Sequence, residues 1–246
     1  VTPTCFINRL GTATAFSLNS GSSSWLGNTY TFTFDVTDQN LEETDVTVII
    51  EEAKDLAGNE MGSWISQGTA DFDIDQVAPT ITTASIKSSN SINNQYARVG
   101  QDIILTLSPS EELNTGSFTG NIAGYSINSI SDNYLGNGTY VLSVSTDPGV
   151  SAGVVTFSIG FEDVCGNAGT LLTSVTDGSS VTVDKTAPVG TIALAGGQAD
   201  PTSDSPINFA LTFSEDVYGL TDGDIDVTGT AGATTAVVTG DRKAHV

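Results

Sequence analysis

The chain of 246 residues carries 7 Lys and Arg against 29 Asp and Glu, a formal net charge of −22. Binding to nucleic acid requires a basic face that releases counterions from a polyanion, so this composition excludes nucleic acid as a partner. No run approaches the roughly 18 apolar residues of a membrane-spanning helix, and we expect no membrane insertion by these residues.

Two short motifs occur twice, in the same order. An Asp-x-x-Gly-Asn motif at Asp55–Asn59 recurs 108 residues later at Asp163–Asn167. An aspartate followed by an Ala-Pro pair, at residues 75–79, recurs 109 residues later at residues 184–188. Motifs that recur at a fixed spacing are the sequence signature of a repeat protein, so we interpret the chain as a tandem repeat.

A third copy begins after the second Ala-Pro pair, since residues 207–217 repeat residues 103–113 at a spacing of 104. The predicted domains are 1–75, the C-terminal half of one repeat, 76–184, a complete repeat, and 185–246, the N-terminal half of a third. A period near 109 residues is the size of an independent domain, so the complete unit should bury its own core. We expect the chain to be a fragment cut within its first and third units.

Short strands are predicted between these motifs. Residues 153–161 place Val155, Phe157, Ile159 and Phe161 at alternate positions, a period of two that is typical of a half-buried strand. Other predicted strands are Val46–Glu52, Tyr140–Val144 and Ser180–Asp184. Clusters of Gly, Asn, Asp and Ser separate such runs about every 8–12 residues, which is the spacing of all-β sandwiches.

The Ala-Pro pairs predict stiff joints between the units. Proline fixes its own φ and holds the preceding residue in an extended conformation. The pairs Ala78-Pro79 and Ala187-Pro188 should therefore limit bending where one repeat passes to the next.

Catalysis is not expected from these residues. The only histidine, His245, is the penultimate residue, so nucleophile systems based on histidine have no base within the complete unit. The two cysteines, Cys5 and Cys165, fall at non-equivalent positions of different units and are interpreted as buried or unpaired thiols. We predict that the chain is not an enzyme.

These motifs together resemble the bacterial immunoglobulin-like (Bap-like) tandem repeats of large cell-surface adhesins. The resemblance covers nearly the whole chain and rests on the two Asp-x-x-Gly-Asn motifs, the two Ala-Pro pairs, and the phrases at 213–217 and 224–229. It implies an all-β fold of tandem immunoglobulin-like β-sandwiches, one complete and two truncated. It also implies an extracellular or cell-surface location, in a stalk whose ligand-binding head lies elsewhere. Cys165 departs from the small alanine usual at its position.

Acidic residues at the joints indicate calcium, which takes six to eight oxygen ligands from strand ends and neighbouring loops. The two predicted sets are Asp75 with Asp55 and Asn59, and Asp184 with Asp163 and Asn167. Glu111 or Glu112, and Glu215 or Asp216, could complete the coordination from the far side. The alternative is a solvated acidic face, in which Gly58 and Gly166 supply the positive φ of ordinary turns.

Two functions from different classes remain. The first is a structural stalk whose partners are the neighbouring repeats of the same chain, with host or matrix glycan or protein bound through a distal domain. The second is a glycan- or protein-binding module of an adhesin, or an accessory domain of a secreted enzyme. Exposed aromatic pairs would favour the second function because sugars stack on flat rings, and Trp25 and Trp64 are the candidates.

Overall fold

The computed structural model describes residues 4–8, 16–18, 22–36, 42–51, 53–65, 72–133, 136, 138–203, 205–229 and 235–239. These residues form β-strands and one short 3-10 turn at Asp222–Asp224, so the predicted all-β class is confirmed. Residues up to 75 contain β1 (Thr4–Asn8), β2 (Phe16–Leu18), β3 (Ser24–Leu26), β4 (Thr29–Thr31), β5 (Phe34–Val36), β6 (Glu42–Glu51), β7 (Trp64–Ile65) and β8 (Phe72–Asp75).

Residues 76–184 contain the next ten strands. They are β9 (Ile81–Ser88), β10 (Tyr96–Ala97), β11 (Asp102–Pro109), β12 (Thr119–Ile122), β13 (Tyr125–Ser126), β14 (Ser129–Asn133), β15 (Thr139–Ser145), β16 (Gly153–Val154), β17 (Phe157–Gly160) and β18 (Thr182–Val183). The last two are β19 (Gly190–Leu194) and β20 (Phe209–Phe213). One four-stranded sheet has the strand order β14-β15-β11-β9. Two three-stranded sheets have the orders β13-β12-β17 and β10-β18-β16.

The long strand β6 organises the first 75 residues. It pairs antiparallel with β1, β7 and β8. Asp75 lies opposite Glu42 at one end of β6, and Thr4 lies opposite Glu51 at the other end. At a rise of about 3.3 Å per residue, the two ends of β6 are separated by about 30 Å.

The chain divides into two compact units. The first comprises residues 1–85, 105–144 and 156–178, and the second comprises residues 86–104, 145–155 and 179–246. Each unit contains segments from separate parts of the chain. The repeat limits at 75/76 and 184/185 stay predictions.

The core of the first unit lies on alternate strand positions. Among its buried side chains are Leu105, Leu107, Tyr140, Leu142, Val144, Phe157, Ile159 and Phe161. The hydroxyl of Tyr140 accepts a hydrogen bond from the Leu113 amide at 2.9 Å and donates to the Leu113 carbonyl at 3.2 Å. This ring can therefore be fully buried without an unsatisfied polar atom. Several sheets with one buried face each are consistent with a β-sandwich.

The second unit has a smaller core around β10, β16 and β18. Strand β18 pairs parallel with β10 and antiparallel with β16. The buried side chains are Ile86, Ala97, Ile103, Val150, Val181 and Val183. The strand predicted at 180–184 is therefore present but shorter.

The strand predicted at 153–161 is two strands. Its first part, β16, pairs with β18, while its second part, β17, pairs with β12. The predicted alternation is confirmed in the second part, where Phe157, Ile159 and Phe161 are buried. A change of pairing partner between Val154 and Phe157 breaks the strand.

Local structure repeats at the predicted spacing. The Thr80 amide donates to Ser110 Oγ at 3.0 Å, and the Ser110 amide donates to the Thr80 carbonyl at 2.8 Å. At the equivalent positions the Val189 amide donates to Ser214 Oγ and the Ser214 amide to the Val189 carbonyl, both at 2.9 Å. The same pair of hydrogen bonds therefore lies where β9 and β19 begin and where β11 and β20 end. Within the described residues, no helix has the length and apolar character of a membrane span.

Candidate metal centre

The Asp-x-x-Gly-Asn motif at Asp163–Asn167 folds as a tight turn around one carboxylate. Asp163 Oδ1 accepts the amides of Cys165 at 2.8 Å and Asn167 at 2.9 Å, and Oδ2 accepts Asn167 Nδ2 at 2.7 Å. Gly166 has φ +93°, which a side chain rarely adopts. Asp163 is fully buried, so these bonds replace the water that its charge would otherwise require.

The first copy of the motif folds in the same way. Asp55 Oδ1 accepts the amides of Ala57 and Asn59, each at 2.8 Å, and Oδ2 accepts Asn59 Nδ2 at 2.7 Å. The Asn59 amide groups lower the pKa of Asp55, because they stabilise its ionised form. The two copies of the motif make the same hydrogen bonds but differ in burial, because Asp55 is exposed to solvent and Asp163 is buried.

Asp75 meets the turn of the second copy. Its Oδ1 accepts the Val77 amide at 3.0 Å. Asn167 Nδ2 donates to the Asp75 carbonyl at 3.1 Å and lies 3.4 Å from Asp75 Oδ1. Ligand atoms of Asp75, Asp163 and Cys165 all lie within 4.8 Å of one another. The end of β8 is thereby joined to the turn at 163–167.

This geometry corrects the predicted grouping of Asp75 with Asp55 and Asn59. Asp75 pairs with Glu42 at one end of β6, whereas the Asp55 turn follows the other end, about 30 Å away along the strand. The length of β6 therefore separates Asp75 from the Asp55–Asn59 turn, although Asp75 is nearer in the sequence to that turn than to the turn at Asp163–Asn167.

Asp184 makes a local turn like that of Asp75. Its Oδ1 accepts the Thr186 amide at 2.9 Å, as Asp75 accepts Val77, and its own amide donates to the Ala97 carbonyl at 2.8 Å. The grouping of Asp184 with Asp163 and Asn167 stays a prediction.

Of the six predicted residues, the structure brings together Asp75, Asp163 and Asn167.

Negative charge accumulates at this set. Burial raises the pKa of Glu111, and the carboxylates of Asp75, Asp163 and Glu42 raise it further. Burial also raises the pKa of the Cys165 thiol, which hydrogen-bonds to Asp75. The thiol is therefore protonated at neutral pH, and the oxygen atoms are the donors available to a hard cation.

Of the predicted alternatives Glu111 and Glu112, Glu111 lies near Asp75 and Asp163, and Glu42, which the sequence does not predict, lies near it as well. Glu42 reaches the cluster because β6 and β8 pair in a register that places it opposite Asp75. A cross-strand partner of this kind has no local sequence signal. The sequence predicts Cys165 as a buried or unpaired thiol; the structure places it beside Asp163, its neighbour in the motif, and also beside Asp75.

Comparison of the chain with protein-family models, with curated proteins and with solved structures found no match.

Proposed function

We propose that the chain is a stalk segment of a large secreted or surface-anchored bacterial adhesin, built from tandem immunoglobulin-like sandwiches. The joint between repeats is held by Asp75, Asp163 and Asn167 and is rigidified by calcium. The observation that carries the proposal is the bond from Asn167 Nδ2 to the Asp75 carbonyl, because it joins the end of one repeat to the turn of the next.

Repetition supports a structural role. The same turn occurs at Asp55 and Asp163, and the same aspartate turn occurs at Asp75 and Asp184. Each aspartate turn precedes an Ala-Pro pair that restricts the backbone. A chain that repeats its joint chemistry controls the spacing of its domains, which is what a stalk requires.

Electrostatics supports a bound cation. Burial raises the pKa of Glu111, and the nearby carboxylates of Asp75, Asp163 and Glu42 raise it further, so a cation placed among them would offset their repulsion. Calcium would find carboxylate oxygens from two repeats within one cluster, and its charge would offset their repulsion. Binding would stabilise the bonded joint over any conformation that separates Asp75 from Asp163.

The alternative, direct glycan binding, is favoured by one exposed aromatic pair. Trp25 is half exposed on the β3–β4 hairpin, and its ring centroid lies 4.9 Å from that of Tyr30. Against it, Tyr30 aligns with Tyr140, which is fully buried in the complete repeat. The pair therefore occupies core positions of a half-repeat, and we favour the stalk.

Calorimetric titration of the 246-residue chain with calcium chloride tests the proposed joint. We expect saturable binding that Asp75→Asn abolishes or weakens at least about tenfold, because a carboxylate ligand is lost. Asp184→Asn is the matched control, since Asp184 Oδ1 accepts the Thr186 amide as Asp75 Oδ1 accepts the Val77 amide. Equal affinity in the wild type and Asp75→Asn, or no binding at millimolar calcium, would overturn the proposed site.

A further inference from the structure

Lys185 holds a turn from a distant part of the chain. Its Nζ donates hydrogen bonds to the carbonyl oxygens of Pro148 at 2.7 Å and Val150 at 3.0 Å. Lys185 lies two residues after β18, whereas the two carbonyls belong to the turn that follows β15. All three residues lie in the second compact unit, so the contact fastens the chain that leaves β18 to another part of the same unit.

The turn at 147–150 is itself firmly held. The Val150 side chain is 2% exposed and belongs to the core of this unit. The Val150 amide donates to the Asp147 carbonyl at 3.1 Å, and the Gly149 amide donates to Asp147 Oδ1 at 2.7 Å. Lys185 therefore attaches to a turn that is ordered by its own hydrogen bonds and anchored by a buried side chain.

The backbone beside Lys185 is bonded as well. The Asp184 amide donates to the Ala97 carbonyl at 2.8 Å, and the Thr186 amide donates to Asp184 Oδ1 at 2.9 Å. Pro188 then holds the residue before it in an extended conformation. Lys185 adds a side-chain attachment between β18 and this proline.

The first copy of the segment has a different side chain at this position. The spacing of 109 residues aligns Lys185 with Gln76. The aspartate turn that precedes the Ala-Pro pair is the same in both copies. The turn therefore forms with either side chain, and the two copies differ in the ammonium group.

We propose that Lys185 is a latch, whose ammonium group acts as a built-in cation and holds residues 184–186 against the turn at 147–150. Hydrogen bonds from a charged donor are roughly twice as strong as those between neutral groups, so two of them restrain the exposed segment between β18 and Pro188. The charge belongs to the chain itself, so the latch needs no divalent cation. The inference goes beyond the proposed function and depends neither on the stalk nor on calcium.

Release of the latch gives a second, locally open state. Without the ammonium group, the carbonyl oxygens of Pro148 and Val150 would accept hydrogen bonds from water. Residues 184–186 would then separate from the turn at 147–150 while the sheets stay folded, because such openings cost less than global unfolding. The exchange of backbone amides with solvent reports this kind of opening.

Hydrogen–deuterium exchange followed by mass spectrometry tests the latch on the 246-residue chain in EDTA. We expect Lys185→Met, which keeps an aliphatic side chain and removes the donor, to speed exchange about tenfold in peptides covering 147–151 and 184–187. Lys185→Gln, which introduces the residue of the first copy, should have the same effect. Lys87→Met is the matched control, because it removes an exposed charge from β9 of the same unit and should leave these peptides unchanged.

The location of the change distinguishes a latch from a general loss of stability. Peptides covering β12 and β17 should exchange as in the wild type, since both strands belong to the first compact unit. Wild-type exchange at 147–151 and 184–187 in both Lys185 variants, or equal acceleration along the whole chain, would overturn the proposal. Circular dichroism should show that both variants keep their strands. Loss of the strand signal in both would also contradict a latch, which is dispensable for folding.

Discussion

One aspartate turn occurs twice in this chain with the same three hydrogen bonds and opposite exposure. Asp55 makes its bonds at the surface, where water can replace them, whereas Asp163 makes them fully buried beside Asp75. A hydrogen bond to a buried charge is costly to lose, because the partner amides are left without water. The second copy should therefore contribute far more to stability than the first.

Substitution of both aspartates measures this difference. We expect Asp163→Ala to lower the free energy of unfolding by about 3 kcal/mol, since it leaves the amides of Cys165 and Asn167 without acceptors. Asp55→Ala is the matched control and should cause a much smaller loss. Urea denaturation followed by circular dichroism compares the two, and equal losses would show that burial is not what distinguishes the turns.

Glu111 should make stability depend on pH. Its pKa is raised by burial first and by Asp75, Asp163 and Glu42 next. Below its ordinary pKa of 4.5, Glu111 is protonated in both the folded and the unfolded chain. The stability that the protonated Glu111 provides is lost as the pH rises through the raised pKa of the folded state. In EDTA at pH 7, Glu111→Gln should therefore stabilise the chain.

The gain should be small because Glu111 is partly exposed, about 0.5 kcal/mol after allowance for solvent screening. It should vanish in acid, where glutamate and glutamine are both neutral. The adjacent Glu112→Gln, on an exposed side chain, is the control. Thermal melts across a pH series give the measurement. A destabilised Glu111→Gln at pH 7, or a gain that persists at pH 3.5, would contradict the assignment.

At this scale the sequence predicts the local turns and does not predict the contacts between distant residues. Asp163 and Asn167 are identified by a local motif whose turn chemistry depends only on neighbours. Asp75 joins them through a contact between residues 92 positions apart, and Glu42 joins through strand register. Such contacts depend on packing, which a motif does not encode.

At the scale of the strand, two glycines mark close contacts. A Cβ on Gly120 would lie 1.9 Å from the Ser158 carbonyl oxygen, and Gly120 has φ +103°. A Cβ on Gly169 would lie 2.1 Å from the Phe161 ring. The pairing of β12 with β17 and the packing of Phe161 therefore both depend on the absence of a side chain.

Gly120→Ala should destabilise the protein by at least about 2 kcal/mol, because both the backbone conformation and the contact with β17 become strained. Gly62→Ala is the control, since a Cβ there has nothing within 4 Å. Chemical denaturation of the two variants provides the comparison. Equal stability would mean that β12 and β17 do not approach each other as closely as described.

Alternation of apolar residues predicted the strands well where one face is buried. The run at Tyr140–Val144 lies within β15, and Phe157, Ile159 and Phe161 are buried as predicted. The break between β16 and β17 was not predictable, because both halves alternate and only their pairing partners differ. The alternation of apolar residues predicts which face of a strand is buried but does not predict which strand pairs with it.

At the scale of the whole molecule, the repeat period carried most of the prediction. It matched Thr80 with Val189 and Ser110 with Ser214, and the structure gives each pair the same hydrogen bonds. It did not reveal that Asp75 contacts the turn at 163–167. A period aligns equivalent positions, whereas a joint brings together positions that are not equivalent.

The account depends most on a joint that calcium stiffens. Small-angle scattering and thermal melting of the 246-residue chain should be compared in EDTA and in millimolar calcium, at concentrations where light scattering shows monomers. We expect calcium to raise the melting temperature and to give a longer maximum dimension, because a closed cluster at Asp75 and Asp163 restricts bending. Asp75→Asn should remove both effects. Melting temperature and maximum dimension that are unchanged by calcium in the wild type would contradict the account.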